Sequence, residues 1–242
     1  MLGNRIAELG YSPDYVITAS DVVSAICKLK CNKNDGCAGL STNHLKYATP
    51  ELFVHISCLF SGIVVHGSVP NDFLSSKAVP IPKGRYVNLT DFTNYRGISL
   101  SSVLDKQFDL IILCRHSEYL ESCELQFGFK PKHSTAMCSM ILKEAISYYS
   151  HNNNSVYCVF LDATKAFDRV NYCKLFKLLM ERNMPPHVVR VLMNMYTGQQ
   201  IRVCWNGIFS NNFAVTNGVK QGGILSPILF CVYIDVLIVI TT

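Results

Sequence analysis

The chain has 242 residues, 49% of them apolar and 16% charged, and 22 Lys and Arg against 17 Asp and Glu give a formal net charge of +5. That is enough apolar material for one ordinary domain or two small ones, and it excludes a disordered tail, a collagen-like chain and a coiled coil. Residues 1–121 carry eleven basic and eleven acidic side chains, whereas residues 122–242 carry eleven and six. The basic second half points to a polyanionic partner, nucleic acid or an anionic membrane.

In chain order, Met1-Leu2-Gly3-Asn4-Arg5 leads into no apolar run of signal-peptide type, so an intracellular protein is expected, in nucleus or cytoplasm. The eleven cysteines are odd in number and contain no Cys-x-x-Cys pair, which fits reduced thiols better than a disulfide framework. Cys27, Cys31, Cys37 and His44 match no standard zinc spacing and read as coincidence. Ser20 is placed to cap a helix bearing Val22, Val23, Ile26 and Leu29, and a second apolar helix spans 51–66, ended by Pro70. The proline-punctuated run 78–84 suits an edge strand.

Further on, Ser134 can cap a helix with apolar Cys138, Leu142, Ala145, Ile146 and Tyr149 at helical spacing. Val156 to Leu161 is a continuous apolar run of strand length, expected as a central strand covered on both faces and ending at Asp162. Two helices follow, on Tyr172, Leu175, Phe176, Leu179 and Met180, then on Val188, Val191, Leu192, Met195 and Tyr196. Pro185-Pro186 and Gly198 are their stops. Ile201, Val203 and Trp205 alternate with Arg202 and Cys204, and Asn206-Gly207 signals a hairpin. The seventeen residues Ile224 to Ile240 are almost wholly apolar, but Asp235 sits inside them, so a buried helix is expected rather than a membrane span. The fold class is α+β.

Two stretches carry chemistry. A carboxylate at the tip of a buried strand is costly unless paired or cation-bound. Asp162 therefore reads either as a ligand for Mg²⁺, which favours hard oxygens, or as a cap for the following helix. In Asn217-Gly218-Val219-Lys220-Gln221-Gly222-Gly223, adjacent glycines let backbone pass close to a ligand, and Lys220 and Gln221 stand near a helix start, positions suited to phosphate or a base edge. An ordinary glycine turn is the alternative.

Together, FLDATKAFDRV and the downstream NGVKQGGILSPILF resemble motifs A and B of a reverse transcriptase, and more narrowly those of non-LTR retrotransposon polymerases. VPIPKG and NYRGISL resemble the finger segments of that family, and LQFGFKPKHST its approach to motif A, so the likeness runs from about Ser20 to the C-terminus. The resemblance implies fingers over 1–133 and a partial palm over 134–242, with an antiparallel palm sheet backed by helices. It implies Asp162 as catalytic and metal-binding aspartate, with the Ala163 carbonyl as an extra ligand for Mg²⁺ or Mn²⁺. It implies Lys83 and Arg96 on the triphosphate, Phe167 as the steric gate against a 2′-hydroxyl, and Gln221 with Gly222 against the templating pair. Lys220 and Gln221 would touch nucleic acid. The partners implied are an RNA template, a DNA primer and dNTPs, with no membrane.

The chain departs from the pattern in three places. Gly97 stands where the family commonly has Pro. Asp168 lies one residue past the gate, and a salt bridge or helix cap is expected for it. No Tyr/Phe-Ala-Asp-Asp motif C and no thumb is found before Thr242, and Asp235 has the wrong neighbours to substitute. One aspartate cannot hold two metal ions, so the expectation is fingers plus an incomplete palm, inactive alone. The other reading is a non-catalytic remnant with weak nucleic-acid binding.

Overall fold

The computed structural model describes residues 14–34 and 39–241. The Met1 to Arg5 segment and Cys37 lie outside the described residues. Helix α1 (Ala19–Lys28) begins one residue ahead of Ser20, because Thr18 is the stronger cap: its hydroxyl accepts from Asp21 N, and Asp21 accepts from Thr18 N at 2.8 Å. A short α2 (Thr42–Lys46) precedes α3 (Pro50–His66), which starts on a proline and ends at Gly67, whose φ of 66° supplies the left-handed stop. The turn α4 (Asn71–Leu74) then feeds strand β1 (Ser75–Pro82).

Strand β1 is not simply an edge. It runs antiparallel to β2 (Tyr95–Leu100) from Lys77 to Pro82 and parallel to β3 (Gln200–Trp205) over Ser75 to Ala78 only. Pro80 and Pro82 fall in the half with no β3 partner, where a missing N–H costs the ladder nothing. Beyond β3 come β4 (Ile208–Phe209), across the Asn206-Gly207 turn, and β5 (Phe213–Ala214), giving a mixed five-stranded sheet rather than an antiparallel one. Asn206 and Gly207 have φ of 48° and 82°, as a tight two-residue hairpin requires.

Helices form the core. α5 (Val103–Arg115), α7 (Tyr172–Glu181), α8 (Pro186–Thr197) and α9 (Ser226–Thr241) pack with α1 and α3, burying Phe60, Phe108, Leu175, Leu179, Leu192 and Leu229. Phe60 and Phe73 each meet Phe108 edge-on, at 5.2 and 6.4 Å between ring centres. The carboxylate inside the apolar α9 is satisfied: Asp235 pairs with Arg182 at 2.6 Å and accepts from Gln126 Nε2 at 2.7 Å and from Cys123 N. No helix among the described residues is long and apolar enough to cross a membrane.

The segment before the Phe167–Arg169 turn departs furthest from expectation. Ser134 caps α6 (Thr135–His151) as its position suggests, but no residue of that helix is buried. The run 154–163 is irregular, not a central strand, and Tyr157 and Leu161 are 91% and 95% exposed. A strand exists only when its N–H and C=O groups find a ladder. None of the strands of the described residues pairs with this one, so its backbone turns to solvent and α6 has no sheet face to cover.

Candidate nucleotide and nucleic-acid site

The glycine loop is wedged between two pieces of backbone. Gly218 has a φ of 93°, and a Cβ there would lie 2.8 Å from Asp168 Cα, so no other residue fits. Gly218 N donates to the Val170 carbonyl and Val219 N to the Phe167 carbonyl, both at 2.9 Å, which staples the loop to the Phe167–Arg169 turn. On its other side Ser99 N of β2 donates to the Gln221 carbonyl at 2.6 Å. Gly222, with a φ of 113°, passes so close to the Ser99 carbonyl that a Cβ would sit 2.7 Å from it. Strand β2, turn and loop therefore close on one small cleft of about 90 Å³, walled by Asp168, Gly218 and Gln221 and floored by Ala78, Gly97 and Ser99.

Within it, Gln221 Nε2 donates to Asp168 Oδ1 at 3.2 Å. Asp168 thus makes no ion pair and no helix cap, since Asn171 caps α7; it orients the glutamine. Phe167 stacks on Phe230 at 4.7 Å and meets Phe129 edge-on at 5.9 Å, a half-buried ring at the start of the turn. Arg96 is exposed and sits opposite Ile81. By the alternation of a pleated strand it projects from the face opposite Gly97, the face shared by Ile98, against which Gly222 abuts. Lys83 is exposed where β1 ends, its N–H donating to the Asn94 carbonyl at 2.8 Å.

Lys220 is placed contrary to expectation. It is 7% exposed, pointing inward to pair with Asp105 of α5 at 3.0 Å. A neighbouring buried carboxyl, Asp109, is pushed up to about 7 by burial and by Asp105, against the opposing pull of Lys220 and the N–H groups of Leu225 and Ile224. Burial, then Asp109, also raises Tyr196. The ammonium is thus the counter-ion that lets two carboxyls sit beneath the loop, not a surface phosphate contact. Asp105 and Asp109, both buried one helical turn apart, are the acidic pair beneath the loop that motif reading misses; two acids among Leu104, Phe108 and Ile112 are the available signal.

Asp162 and Ala163 are exposed on the irregular run and do not line the cleft. No group of three or more His, Cys, Asp or Glu side chains able to hold a metal ion occurs among the described residues. The donor set here, one carboxylate and one carbonyl, does not fit a pair of divalent ions.

The glycine loop is locked between strand β2 and an aromatic turn, and comparison with known proteins defines the class. The chain belongs to the reverse transcriptase (RNA-dependent DNA polymerase) family, which matches residues 81–240. Within it the relatives are enzymes of non-LTR retrotransposons. The chain is 30% identical over 169 residues to the Pol polyprotein of type-2 retrotransposable element R2DM of Drosophila melanogaster, covering 70% of this chain and 16% of that protein. It is 27% identical over 220 residues to the probable RNA-directed DNA polymerase from transposon X-element of the same fly, covering 88% and 24%. To the RNA-directed DNA polymerase from mobile element jockey, also of that fly, it is 26% identical over 230 residues, covering 91% and 24%. The matched region is thus between 16% and 24% of the length of these relatives.

Proposed function

We propose that this chain supplies the fingers, residues 1–133, and part of the palm, residues 134–242, of an RNA-directed DNA polymerase of non-LTR type. The reaction is extension of a DNA primer on an RNA template: the primer 3′-oxygen attacks the α-phosphorus of a dNTP, and pyrophosphate leaves. The observation that carries this reading is the 2.6 Å hydrogen bond from Ser99 N to the Gln221 carbonyl. It joins a finger strand to the glycine loop, so a base pair bound against Gln221 and Gly222 also meets the strand that bears Arg96. Arg96 and Lys83 hold the triphosphate, Arg96 by its bidentate fork. The Phe167 ring lies under the incoming sugar and rejects a 2′-hydroxyl.

Asp162 is the one carboxylate that the motif provides, and as described it has no companion ligand. Residues 1–242 alone are therefore proposed to bind template and primer without extending it. Purified chain should retain an RNA–DNA template–primer with an affinity that falls steeply as KCl rises, because phosphate contacts release counter-ions. Salt-independent binding, or none, would contradict the reading. Extension in Mg²⁺ or Mn²⁺ that vanishes in Asp162→Ala would overturn the proposed inactivity. A second reading, a non-catalytic remnant, is favoured by the exposed run 154–163. It predicts RNA binding with no retention of dNTP on the template–primer complex, whereas the polymerase reading predicts retention that Arg96→Ala abolishes.

A further inference from the structure

A second, larger cleft opens on the same sheet face as the glycine-loop cleft. It has a volume of about 390 Å³ and is lined by Pro80, Leu89, Phe92, Tyr95, Gly97 and Trp205. That is within the range of roughly 300–1,000 Å³ usual for small-ligand pockets. Its position follows from register. Pro80 pairs with Gly97 and Pro82 with Tyr95 across β1 and β2, while Ala78 pairs with Val203 on β3. Two residues on, Pro80 and Trp205 occupy the next row, so Tyr95, Gly97, Pro80 and Trp205 share one face. Gly97 lines both clefts, making them neighbours with no side chain between them.

The aromatic walls are fixed. Tyr95 Oη donates to the Leu89 carbonyl at 2.9 Å, holding the 89–95 loop over the sheet. Trp205 lies 5.2 Å from Tyr95, the planes inclined at 66°, and remains 49% exposed. Phe92 is exposed on the opposite rim. Aromatic rings left accessible around a preformed cleft offer faces and edges to a flat ligand. Residues 78–95, which build the cleft, carry Lys83 and Arg85 against the single carboxylate Asp91, while Lys77, Arg96 and Arg202 alternate to the opposite face of the sheet. Lys83 and Arg85 are exposed directly past Pro82.

We infer that this cleft holds an unpaired base of single-stranded RNA, stacked on Trp205 with Tyr95 against its edge, next to the base pair at Gln221. The inference rests on the polymerase reading and adds to it a stacking site for the template strand outside the pair being copied. Aromatic platforms bordered by cations bind single strands without sequence preference, because every base has a π-face. A protein ligand would gain little from the excess positive charge, whereas a phosphate backbone is complementary to it.

Trp205 is the sole tryptophan of the chain, so its emission reports on the cleft alone. Titrating the purified 242-residue chain with a short single-stranded RNA should quench and shift that emission, and a blunt RNA duplex should not. Labelled-RNA anisotropy should then show Trp205→Ala binding about tenfold more weakly, the size of one lost base–aromatic stack, with Trp205→Phe close to the parent. Because Trp205 is half exposed, circular dichroism should find both variants folded. Salt-sensitive RNA binding with unmoved emission and an unaltered Trp205→Ala affinity would sink the stacking site and leave the polymerase reading standing. Equal quenching by duplex, or by peptide but not RNA, would also overturn it. Absence of any RNA binding would defeat both.

Discussion

The apolar stretch Ile224 to Val232 and the apolar stretch Val156 to Leu161 have similar composition, yet Leu225, Leu229 and Val232 are buried while Tyr157, Phe160 and Leu161 are almost bare. The first is anchored at three levels. Its loop is stapled to the Phe167 turn and to β2, its lysine is paired inside, and its helix carries a carboxylate that Arg182 neutralises. The second has none of these ties, and α6 before it shares that isolation. Hydrophobicity supplies the drive to bury a segment, but a strand needs backbone partners before the drive can act.

The contrast is sharpened by perturbing each region, and the largest effect belongs to the anchored one. Lys220→Ala leaves Asp105 and Asp109 buried without their cation and should cost about 3–5 kcal/mol, read as a fall in the urea midpoint. A cost near zero would mean that the loop is not held from beneath. Gly218→Ala forces a side chain into a φ of 93° and against Asp168. It should destabilise by about 1–3 kcal/mol and weaken template–primer binding.

Asp109 gives a pH test with a definite sign. Its folded pKa is raised to about 7 from an ordinary 3.8, so the native state holds a proton that the unfolded chain has released. Stability should therefore decline as pH rises from about 4 to 7 and level off above that. Asp109→Asn should flatten that decline. His116 acts oppositely: burial lowers it to about 4, so its contribution, present above its ordinary 6.5, is lost as pH falls from about 6.5 to 4. The difference between Asp109→Asn and parent, measured by thermal melts across pH, isolates the first term. A difference that does not vary with pH would remove Asp109 from the account. Least affected should be the loose region: Phe160→Ser or Ile141→Ser should change stability by less than about 0.5 kcal/mol and improve solubility. A drop of several times that size would mean these side chains are packed.

Local signals are legible where the chemistry is local. The Asn206-Gly207 hairpin, the Ser134 cap, the Pro185-Pro186 break and the helix after the glycine loop all follow from two to four adjacent residues. The family too is carried by short blocks, and residues 81–240 match it. What escapes is whatever depends on a distant partner. Lys220 reads as a surface cation because Asp105 is 115 residues away. Asp168 reads as a salt bridge or helix cap because the Gln221 amide that donates to it lies 53 residues on. Val156 to Leu161 reads as a strand because periodicity records what could be buried, not what is available to pair with it.

Strand β2, the Phe167–Arg169 turn and the glycine loop form one locked unit, and Asp162 lies exposed outside it. Amide hydrogen exchange on the 242-residue chain tests it most directly. The account predicts strong protection at Ser99, Gly218 and Val219, whose N–H groups make the three ties, and exchange near the unfolded rate across 154–163. Protection of Val156 to Leu161 matching that of Ser99, or rapid exchange at Val219, would contradict it.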